Sequence, residues 1–417
     1  MTITMNHSGM KSDNVLAIGD YPQTLAVVRS LGRAGYRVTV AYDQPRPVST
    51  YSRYCIDSWE CPEFDGPDFK PALHHYLQQH SDVAALYPIG ISAIRAVQDF
   101  KRELDAEISV IAVSASVLAV FDDKEHANVV ASQAGVKVPR SVQVEDVDTL
   151  REAALDLNYP LIIKSANNAG PVFGRKAYLI ENAPELESAF ATWPPGHKLL
   201  MVQRYITGKV VACDFVANNG QIIAYYQGAH TRTDAPDGTG YVVDFRAIEP
   251  TPELFAVLTK IASRTEYSGP GLLQCVVCAD TGSHYFLELN PRLSAGIAEA
   301  VNAGLDLPLI ALHNGLGSNI PPAYEQAERR YSMSAHTYWL ERDVLGWVKH
   351  RGNLTFSESL HWVRSMITDL FTSDAHINWS WADPAPSARI LTGHLRRALS
   401  ARLAPIRYRI KAHVARH

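Results

Sequence analysis

Apolar residues in the first hundred positions alternate between short strand-like runs and helical spacing. Residues 14–43 read NVLAIGDYPQTLAVVRSLGRAGYRVTVAYD, in which a segment with Leu25, Val28 and Leu31 at helical spacing separates two apolar runs. Two further runs follow at 82–90 (DVAALYPIG) and 109–113 (SVIAV). Strands that alternate with helices favour a small, open, parallel α/β domain, which we expect to extend over residues 13–115.

Strands predominate in the central part of the chain, with helices between them. The sequence predicts a helix within 122–139 that ends at Gly135, strands at 159–166 and 198–206, and hairpins at 210–229 and 272–290. We therefore expect a two-lobed α+β body over residues 116–325, with the smaller lobe at about 140–205. A segment rich in Gly, Asp and Pro, TRTDAPDGTGYVV at 231–243, is typical of a mobile covering loop.

The pattern changes again in the C-terminal extension, residues 326–417. Beyond Asp383 there are eight Lys or Arg residues and no acidic residue, and leucines recur every fourth position from Leu391 to Leu403. This predicts a basic amphipathic tail. Three interpretations remain open: a helix packed on the protein, a solvated extension, or a weak contact with an anionic membrane or a carrier protein. At the other end, we expect residues 1–12 to form a disordered lead.

Composition restricts the class of protein. The chain has 417 residues, 47% of them apolar and 20% charged, with a formal net charge of −4. This balance is ordinary for a globular protein and argues against nucleic-acid binding by bulk charge. The first residues do not resemble a signal peptide, and five cysteines are an odd number, so we expect a cytoplasmic protein with free thiols.

One stretch, YFLELNPRLSAG at 285–296, combines a carboxylate, an amide and a guanidinium at the end of a predicted strand. Alternation places Glu288 and Asn290 on the same face, where two oxygen donors suit a hard cation such as Mg²⁺. Arg292 suits a phosphoryl or carboxylate oxygen. By itself the stretch is also compatible with a polar strand end followed by a turn.

Three other segments carry compatible chemistry. Lys124 lies at a predicted helix start, and Lys164 ends the strand PLIIK ahead of SANNAGPVFGRK, a loop that contains Arg175 and Lys176. Lysines and a loop of small residues can neutralise and surround a polyphosphate. The strand that ends at Gln203, Arg204, Tyr205 and Ile206 can offer backbone groups to an adenine ring.

In this order, the segments resemble the ATP-grasp superfamily, in particular its carbamoyl-phosphate-synthase-like and carboxylate–amine ligase branch. The resemblance covers residues 13 to about 325 and rests on five motifs: DDKEHANVVASQAGVKVP, YPLIIKSA, VQRYITG, QGAHT and LLQCVVCADTGSHYFLELNPRLSAG. It implies an N-terminal open parallel α/β (pre-ATP-grasp) domain, a two-lobed ATP-grasp domain and a C-terminal extension.

The resemblance also implies roles for individual residues. Lys124 and Lys164, with Lys176 in the loop, would contact the phosphates of ATP, and Gln203, Arg204, Tyr205 and Ile206 would hold adenine. Glu288 would bridge two Mg²⁺ ions, with Gln274 and Asn290 each on one ion and Mn²⁺ as a substitute. Arg292 would stabilise the transferring phosphoryl group, and His230 would lie beside the phosphates.

The sequence departs from the family pattern at the ribose. Val210 stands where many relatives place a glutamate, so Asp214, on the same strand face, is a candidate substitute, although it could equally be a structural carboxylate. Arg232, at the base of the 231–243 loop, is a candidate clamp for a substrate carboxylate or an ordinary surface arginine.

These features predict an ATP- and Mg²⁺-dependent ligase that activates a carboxylate as an acyl phosphate and joins it to an amine, with release of ADP and phosphate. Its expected partners are small-molecule carboxylates and amines rather than nucleic acid, and a homodimer is left open. The alternatives are a carboxylase or carbamoylating enzyme that uses bicarbonate, and a nucleotide-binding protein that has lost catalysis.

Overall fold

The computed structural model describes residues 12–43, 45–100, 104, 108–166, 170–238, 240–318 and 331–393. Residues 1–11 of the predicted lead at 1–12, and the part of the basic tail from residue 394 onward, lie outside the described residues. The same holds for the predicted domain boundary at 325.

The N-terminal part is a five-stranded parallel sheet in the order β3-β2-β1-β4-β5. Its elements are β1 (Asn14–Ile18), α1 (Thr24–Arg33), β2 (Arg37–Tyr42), β3 (Cys55–Glu60), α2 (Phe69–Gln79), β4 (Val83–Pro88), α3 (Ile91–Phe100) and β5 (Ser109–Val110). Because the strand order reverses between β1 and β4, their carboxyl ends flank the crevice where open α/β sheets bind ligands. The predicted open α/β domain is confirmed.

Two short helices lead into a small four-stranded antiparallel sheet in the order β6-β9-β7-β8. The helices are α4 (Ala115–Asp122) and α5 (Lys124–Gln133); the small lobe contains β6 (Ser141–Val144), α6 (Val147–Leu157), β7 (Leu161–Ser165), β8 (Ala177–Ile180), α7 (Ala183–Ala189) and β9 (Leu200–Arg204). The Asp123 side chain accepts from the backbone N–H groups of Glu125 and His126, which fixes the start of α5 and the position of Lys124.

The large lobe is built on a seven-stranded sheet in the order β14-β13-β10-β11-β12-β15-β16. Its elements are β10 (Gly208–Asn218), β11 (Gln221–Thr233), β12 (Val242–Ala247), α8 (Pro252–Arg264), β13 (Gly269–Cys278), β14 (His284–Asn290), α9 (Ala298–Asn302), α10 (Leu307–Gly315), β15 (His336–Tyr338), α11 (Leu340–His350), α12 (Phe356–Thr372) and β16 (Ala375–His376). Both predicted hairpins are present, and Asn219 and Gly220 both have positive φ at the turn of the first.

The C-terminal extension is part of this sheet rather than an appendage. β15 pairs with β12, and β16 pairs with β15, so residues well beyond 325 complete the large lobe. Of the segment 231–243 predicted as a loop, the ends belong to strands: β11 continues to Thr233 and β12 begins at Val242, so the turn between them is residues 234–241. In that turn, Asp234 meets α11, because a Cβ on Gly346 would stand 2.5 Å from its carbonyl oxygen.

One hydrophobic core joins the N-terminal domain to the large lobe. Val28 and Leu31 of α1 belong to the same buried cluster as Leu309 and Leu312 of α10 and Val216 of β10. This shared core holds the carboxyl edge of the parallel sheet against the large lobe, because burial of this apolar surface opposes separation. Within the described residues, no helix has the length and apolar character needed to cross a membrane.

Candidate active site

The β13–β14 hairpin brings the predicted metal-binding residues onto one face. Gln274 lies opposite Glu288 in the register, and Leu272 lies opposite Asn290. The Asn290 amide donates to Glu288 Oε1 over 3.1 Å, and Arg292 Nη2 donates to Asn290 Oδ1 over 3.3 Å. The carboxylate, amide and guanidinium that are close in sequence are therefore also hydrogen-bonded in space.

Two lysines approach this face from the small lobe and the helix before it. Lys164 closes β7 and donates to Gln203 Oε1 on the neighbouring strand β9 over 3.3 Å. Lys124, at the start of α5, donates to the backbone oxygen of Ser165 over 2.8 Å. The end of β7 thus holds both ammonium groups beside the hairpin.

Electrostatics show how tightly these groups are coupled. Burial alone would raise the pKa of Glu288, but Lys176, Lys164 and Lys124 outweigh it, with help from Asn290, and lower the pKa to about 2. Burial lowers the pKa of Lys164 to about 8, although the charge of Glu288 acts in the opposite direction. Burial also lowers the pKa of Lys124. Glu288 is one carboxylate among three lysines, so the site keeps an excess of positive charge that can bind an anion.

The strand end at 203–206 offers a suitable edge for a planar base. Gln203 is buried, its oxygen accepts from Lys164, and its Nε2 has no hydrogen-bond partner among the residues that the structure describes. A buried unpaired donor is costly unless a ligand satisfies it. Arg204 is exposed, whereas Tyr205 and Ile206 are half-buried beside it. The residues present fit a nucleotide whose base accepts a hydrogen bond here.

The loop between β7 and β8 supplies the third lysine. Val172 and Arg175 exchange backbone hydrogen bonds of 2.9 and 2.8 Å, and positive φ at Phe173 and Gly174 makes this a tight turn. Arg175 lies 3.9 Å from the carboxylate of Asp237. Lys176 follows on the exposed side of the loop, and its charge acts on Glu288 and on His230. Residues 167–169 of the loop lie outside the described residues.

Two family models match the part of the chain that contains this site. The model described as "ATP-grasp in the biosynthetic pathway with Ter operon" matches residues 197–337, and "Carbamoyl-phosphate synthase L chain, ATP binding domain" matches residues 123–222. The chain carries an ATP-grasp domain. The resemblance inferred from the ordered motifs is thereby confirmed.

Curated relatives agree with this family at low identity. The chain is 24% identical over 314 residues to the N-terminal section of the carbamoyl phosphate synthase large chain of Aquifex aeolicus, covering 72% of this chain and 54% of that protein. It is 25% identical over 304 residues to the large chain of Thermotoga neapolitana, covering 68% of this chain but only 26% of that protein. The chain therefore spans between about a quarter and half of the length of these relatives.

Solved structures of ATP-grasp enzymes share the fold. An ADP complex of N5-carboxyaminoimidazole ribonucleotide synthetase has a TM-score of 0.59 at 14% identity, covering 76% of this chain and 80% of that one. An L-amino acid ligase from Bacillus licheniformis has a TM-score of 0.59 at 15% identity, covering 76% of this chain and 77% of that one. At these identities the likeness establishes the fold of the ATP-grasp domain and leaves its substrates open.

His230 lies on the site face of the large sheet. Gln274 pairs with Ala212, Ala212 pairs with Gly228, and His230 is two residues further along β11. Its ring meets Phe245 edge-on, with 5.9 Å between the ring centroids. Burial, together with the charge of Lys176, lowers the pKa of His230 to about 4. At neutral pH His230 is thus an uncharged hydrogen-bonding group rather than another cation.

Arg232 does not lie in the site, contrary to its predicted role as a substrate clamp. A bulge at Thr231 shifts the register, so that His230 pairs with Phe245 but Arg232 pairs with Asp244. Successive residues of β12 face opposite sides of the sheet, so Arg232 faces away from His230. There its Nη2 lies 2.6 Å from Asp343 and 2.7 Å from Asp369, on α11 and α12. Arg232 therefore forms ion pairs with two carboxylates.

Asp214 is likewise engaged within the protein. Its carboxylate accepts from the backbone N–H of Ser294 over 3.3 Å and from the Ser294 hydroxyl over 3.1 Å. Burial raises its pKa to about 7, although these hydrogen bonds and Arg292 act in the opposite direction. Asp214 therefore ties β10 to the segment after Arg292, which argues against the predicted contact with ribose. Val210 is exposed on the same strand.

The sequence analysis assigned no individual residue of the N-terminal domain to this site, and the structure places Tyr21 there. Cβ atoms on Gly19 and Gly90 would stand 2.8 and 2.3 Å from the Tyr21 ring, so Tyr21 lies across the carboxyl ends of β1 and β4. A small cavity lined by Ile89 and Arg292, among others, shows that this edge meets the ATP-grasp domain. The sequence signal that could have indicated this contact is a glycine at the end of each of two predicted parallel strands.

A second cluster, Asp244, His336 and Asp369, was also missed because its members are far apart in sequence. Their ligand atoms lie within 4.8 Å of one another, and all three are buried. His336 Nε2 lies 2.7 Å from Asp244 Oδ1. However, Arg246 lies 3.6 Å from Asp244 and 3.7 Å from Asp369, and Arg232 also pairs with Asp369. Guanidinium groups therefore already neutralise the carboxylates that an ion would need.

Proposed function

We propose that the protein is an ATP- and Mg²⁺-dependent ligase that activates a carboxylate and joins it to an amine, releasing ADP and phosphate. One observation carries the proposal. Glu288 stays ionised while Lys124, Lys164 and Arg292 surround it, which is the charge arrangement that a metal–polyphosphate complex requires. The shared ATP-grasp fold of ligases and carboxylases supports the same reaction class.

The nucleotide has a defined place in this proposal. Lys124, Lys164 and Lys176 neutralise its phosphates, because they already share one electrostatic environment with Glu288. Adenine lies along residues 203–206, where Gln203 Nε2 is a buried donor without a partner among the described residues. The ribose contact remains unassigned, since both oxygens of Asp214 accept from Ser294.

The metal site consists of Gln274, Glu288 and Asn290, and we infer two Mg²⁺ ions that Mn²⁺ can replace. Three oxygen-bearing side chains on one face of a hairpin leave further positions of the metal shell to phosphate oxygens and water. When bound, the ions neutralise charge on the phosphoryl group in transfer. Asn290 would release Glu288 and turn its amide oxygen towards an ion.

Arg292 and His230 act on the reacting groups. Arg292 is held by Asn290 and by the backbone oxygen of Leu293, 3.0 Å away, which fixes its guanidinium, and no carboxylate among the described residues forms an ion pair with it. It can therefore bind the phosphoryl group and the acyl phosphate oxygens. Neutral His230 supplies a hydrogen bond. The amine attacks the acyl phosphate carbon, and the carbon–oxygen bond to phosphate breaks.

A second candidate uses bicarbonate as the carboxylate. Two kinds of match favour it: several curated relatives are carbamoyl phosphate synthase large chains, and one structural match at 17% identity is a biotin carboxylase domain solved with MgADP and bicarbonate. That structure is a dimer, which supports a homodimer here. We also infer a cytoplasmic location, because all five cysteines are free.

The test measures ADP and phosphate release from ATP·Mg²⁺ with carboxylates and amines, singly and in pairs, and with bicarbonate alone. Hydroxylamine added in place of the amine traps an acyl phosphate as a hydroxamate. We expect turnover that needs two substrates and falls at least about 100-fold in Glu288→Gln, a loss of about 2.7 kcal/mol or more. Asp280→Asn, in the exposed turn of the same hairpin, is the matched control.

Each outcome decides between the candidates. Turnover with bicarbonate alone would replace the ligase with the carboxylating or carbamoylating enzyme. ATP-dependent turnover that persists in Glu288→Gln would contradict the assigned metal site. Tight binding of ADP·Mg²⁺ without turnover by any substrate set would indicate a nucleotide-binding protein that has lost catalysis.

A further inference from the structure

Helix α12 carries large apolar side chains on its exposed face, where a surface helix ordinarily carries polar ones. Trp362 and Asp369 are buried against the sheet. On the outside, Phe356 is 84% exposed and Phe371 is 80% exposed. Leu360 and Ile367 are also exposed. Exposure of a phenylalanine side chain to water at each end of one helix is unfavourable unless another surface covers both side chains.

These residues form one continuous stripe. At 100° per residue, Phe356, Leu360, Ile367 and Phe371 fall within an arc of about 60°, and they extend over about 22 Å of helix. The neighbouring helix α11 exposes Val344, Leu345 and Val348, and Trp347 of α11 donates to Ser359 of α12. We call these seven exposed residues, four on α12 and three on α11, the apolar platform.

The charges around the apolar platform are mostly positive. The fully exposed charged residues on 340–372 are Lys349, Arg351 and Arg364 against one acid, Glu358. Glu341 and Arg342 are half-buried, with Arg342 paired to Asp234 over 2.7 Å. The chain then continues beyond the described residues with seven Lys or Arg residues and no acid in 394–417. A partner for this surface must accept both apolar contact and positive charge.

Three partners could cover the apolar platform: a second copy of the chain, the chain's own tail, or an anionic lipid surface. Their charges distinguish them. A second copy of the chain in a symmetric contact would place the cations of one platform near those of the other. The chain's own tail would add seven more cations to the same surface. Anionic lipid headgroups are complementary to all of these charges, and the interface beneath them takes up Phe, Leu and Trp side chains.

We propose that the apolar platform docks on an anionic bilayer surface. Trp381, 84% exposed and in edge contact with Trp379, belongs to the same C-terminal segment and is a side chain typical of the membrane interface. The contact is peripheral, because no helix in the described parts of the chain is fit to cross a bilayer. The proposal does not depend on the proposed reaction.

The helices α11 and α12 and the metal-binding face lie on opposite sides of the large sheet. α11 and α12 lie over the side of β12 and β15 to which Asp244 and Arg232 point, since Asp343 and Asp369 pair with Arg232 there. His230 and the metal-binding face lie on the other side of the same sheet.

Co-sedimentation of the full chain with vesicles tests the proposal. Vesicles of phosphatidylcholine with phosphatidylglycerol are compared with phosphatidylcholine alone, at low and high salt. We expect binding to the anionic vesicles only, weakened at least tenfold in the double variant Phe356→Ser/Phe371→Ser. Leu155→Ser, which removes an equally exposed apolar side chain (75%) from α6, should bind as the wild type does.

Three results would overturn the proposal. The first is absence of binding to either vesicle, or binding that the double variant leaves unchanged. The second is a dimer in solution that the double variant dissociates, which would show that a second copy covers the platform. The third is stronger vesicle binding after removal of 394–417, which would show that the tail covers it. Circular dichroism of each variant checks that the fold is retained.

Discussion

At the scale of single residues, the site works because burial and charge act on Glu288 and Lys164 in opposite ways. Lysines hold the carboxylate ionised with a pKa of about 2, whereas burial brings the pKa of Lys164 down to about 8. A lysine that titrates near 8 is charged at neutral pH but loses its proton within the range in which the protein can be studied. The affinity for nucleotide should therefore change with pH as Lys164 loses its proton.

We expect ADP affinity, measured by calorimetry at constant ionic strength, to fall as the pH rises through about 8. Lys164 is protonated below its pKa and donates to phosphate, and above it that charge-assisted hydrogen bond, about 1.5 kcal/mol or tenfold in affinity, is lost. A bound phosphate moves the midpoint upward, because it favours the charged form.

Lys164→Met should bind ADP more weakly at pH 7 and lack this pH step. Lys198→Met, which removes an exposed lysine just before β9, serves as the control and should keep it. A step of the same size in Lys164→Met would assign the titration to another group.

At the scale of elements, one β-bulge decides what Arg232 does. Without the irregularity at Thr231, Arg232 would share the face of His230, as strict alternation predicts. With it, the side chain joins Asp343 and Asp369 and holds α11 and α12 to the sheet. Tyr338 and Trp362 also donate to Asp343, which is fully buried. The arginine therefore belongs to the stability of the C-terminal helices.

We expect Arg232→Ala to lower the free energy of unfolding by about 3–5 kcal/mol, because Asp343 loses its cation and Asp369 keeps only Arg246, 3.7 Å away. Urea unfolding measures the loss. Arg140→Ala, which breaks a pair with Asp156 in which the side chains are 64% and 63% exposed, should cost less than about 1 kcal/mol. Unchanged stability, with a raised KM for a carboxylate substrate, would restore Arg232 to the substrate site.

At the scale of the whole molecule, the C-terminal segment returns to the N-terminal domain and fastens to it. Asp383 lies 2.9 Å from Arg29 Nε on α1 and accepts from the Ser52 hydroxyl over 2.7 Å. The backbone N–H of Arg53 also donates to it over 2.9 Å. This anchor joins the two ends of the described chain across 330 residues of sequence.

Asp383→Ala should lower the free energy of unfolding by about 3 kcal/mol or more, since Arg29 would remain buried without its carboxylate. Limited proteolysis should then cut within residues 373–393 faster than in the wild type. Asp148→Ala, at a position 89% exposed, is the matched control. Equal proteolysis in the two variants would show that Asp383 does not anchor the segment.

Much of this protein follows from its sequence. Hydrophobic periodicity is local, so it determined the parallel α/β domain, the two-lobed body and both hairpins, and alternation along β14 placed Glu288 and Asn290 on one face. The order of the motifs identified the ATP-grasp domain. The predicted nucleotide and metal chemistry rested on these local motifs. The weak membrane contact of the tail was predicted separately, from its charge and leucine spacing.

The tertiary structure decided what depends on residues distant in sequence. It turned Arg232 away from the site through a bulge, engaged Asp214 with Ser294, and drew the C-terminal strands into the large sheet. It also placed Tyr21 at the edge of the site and left one face of α12 uncovered. A bulge, a partner far along the chain and an exposed face arise only when elements pack, so no local pattern encodes them.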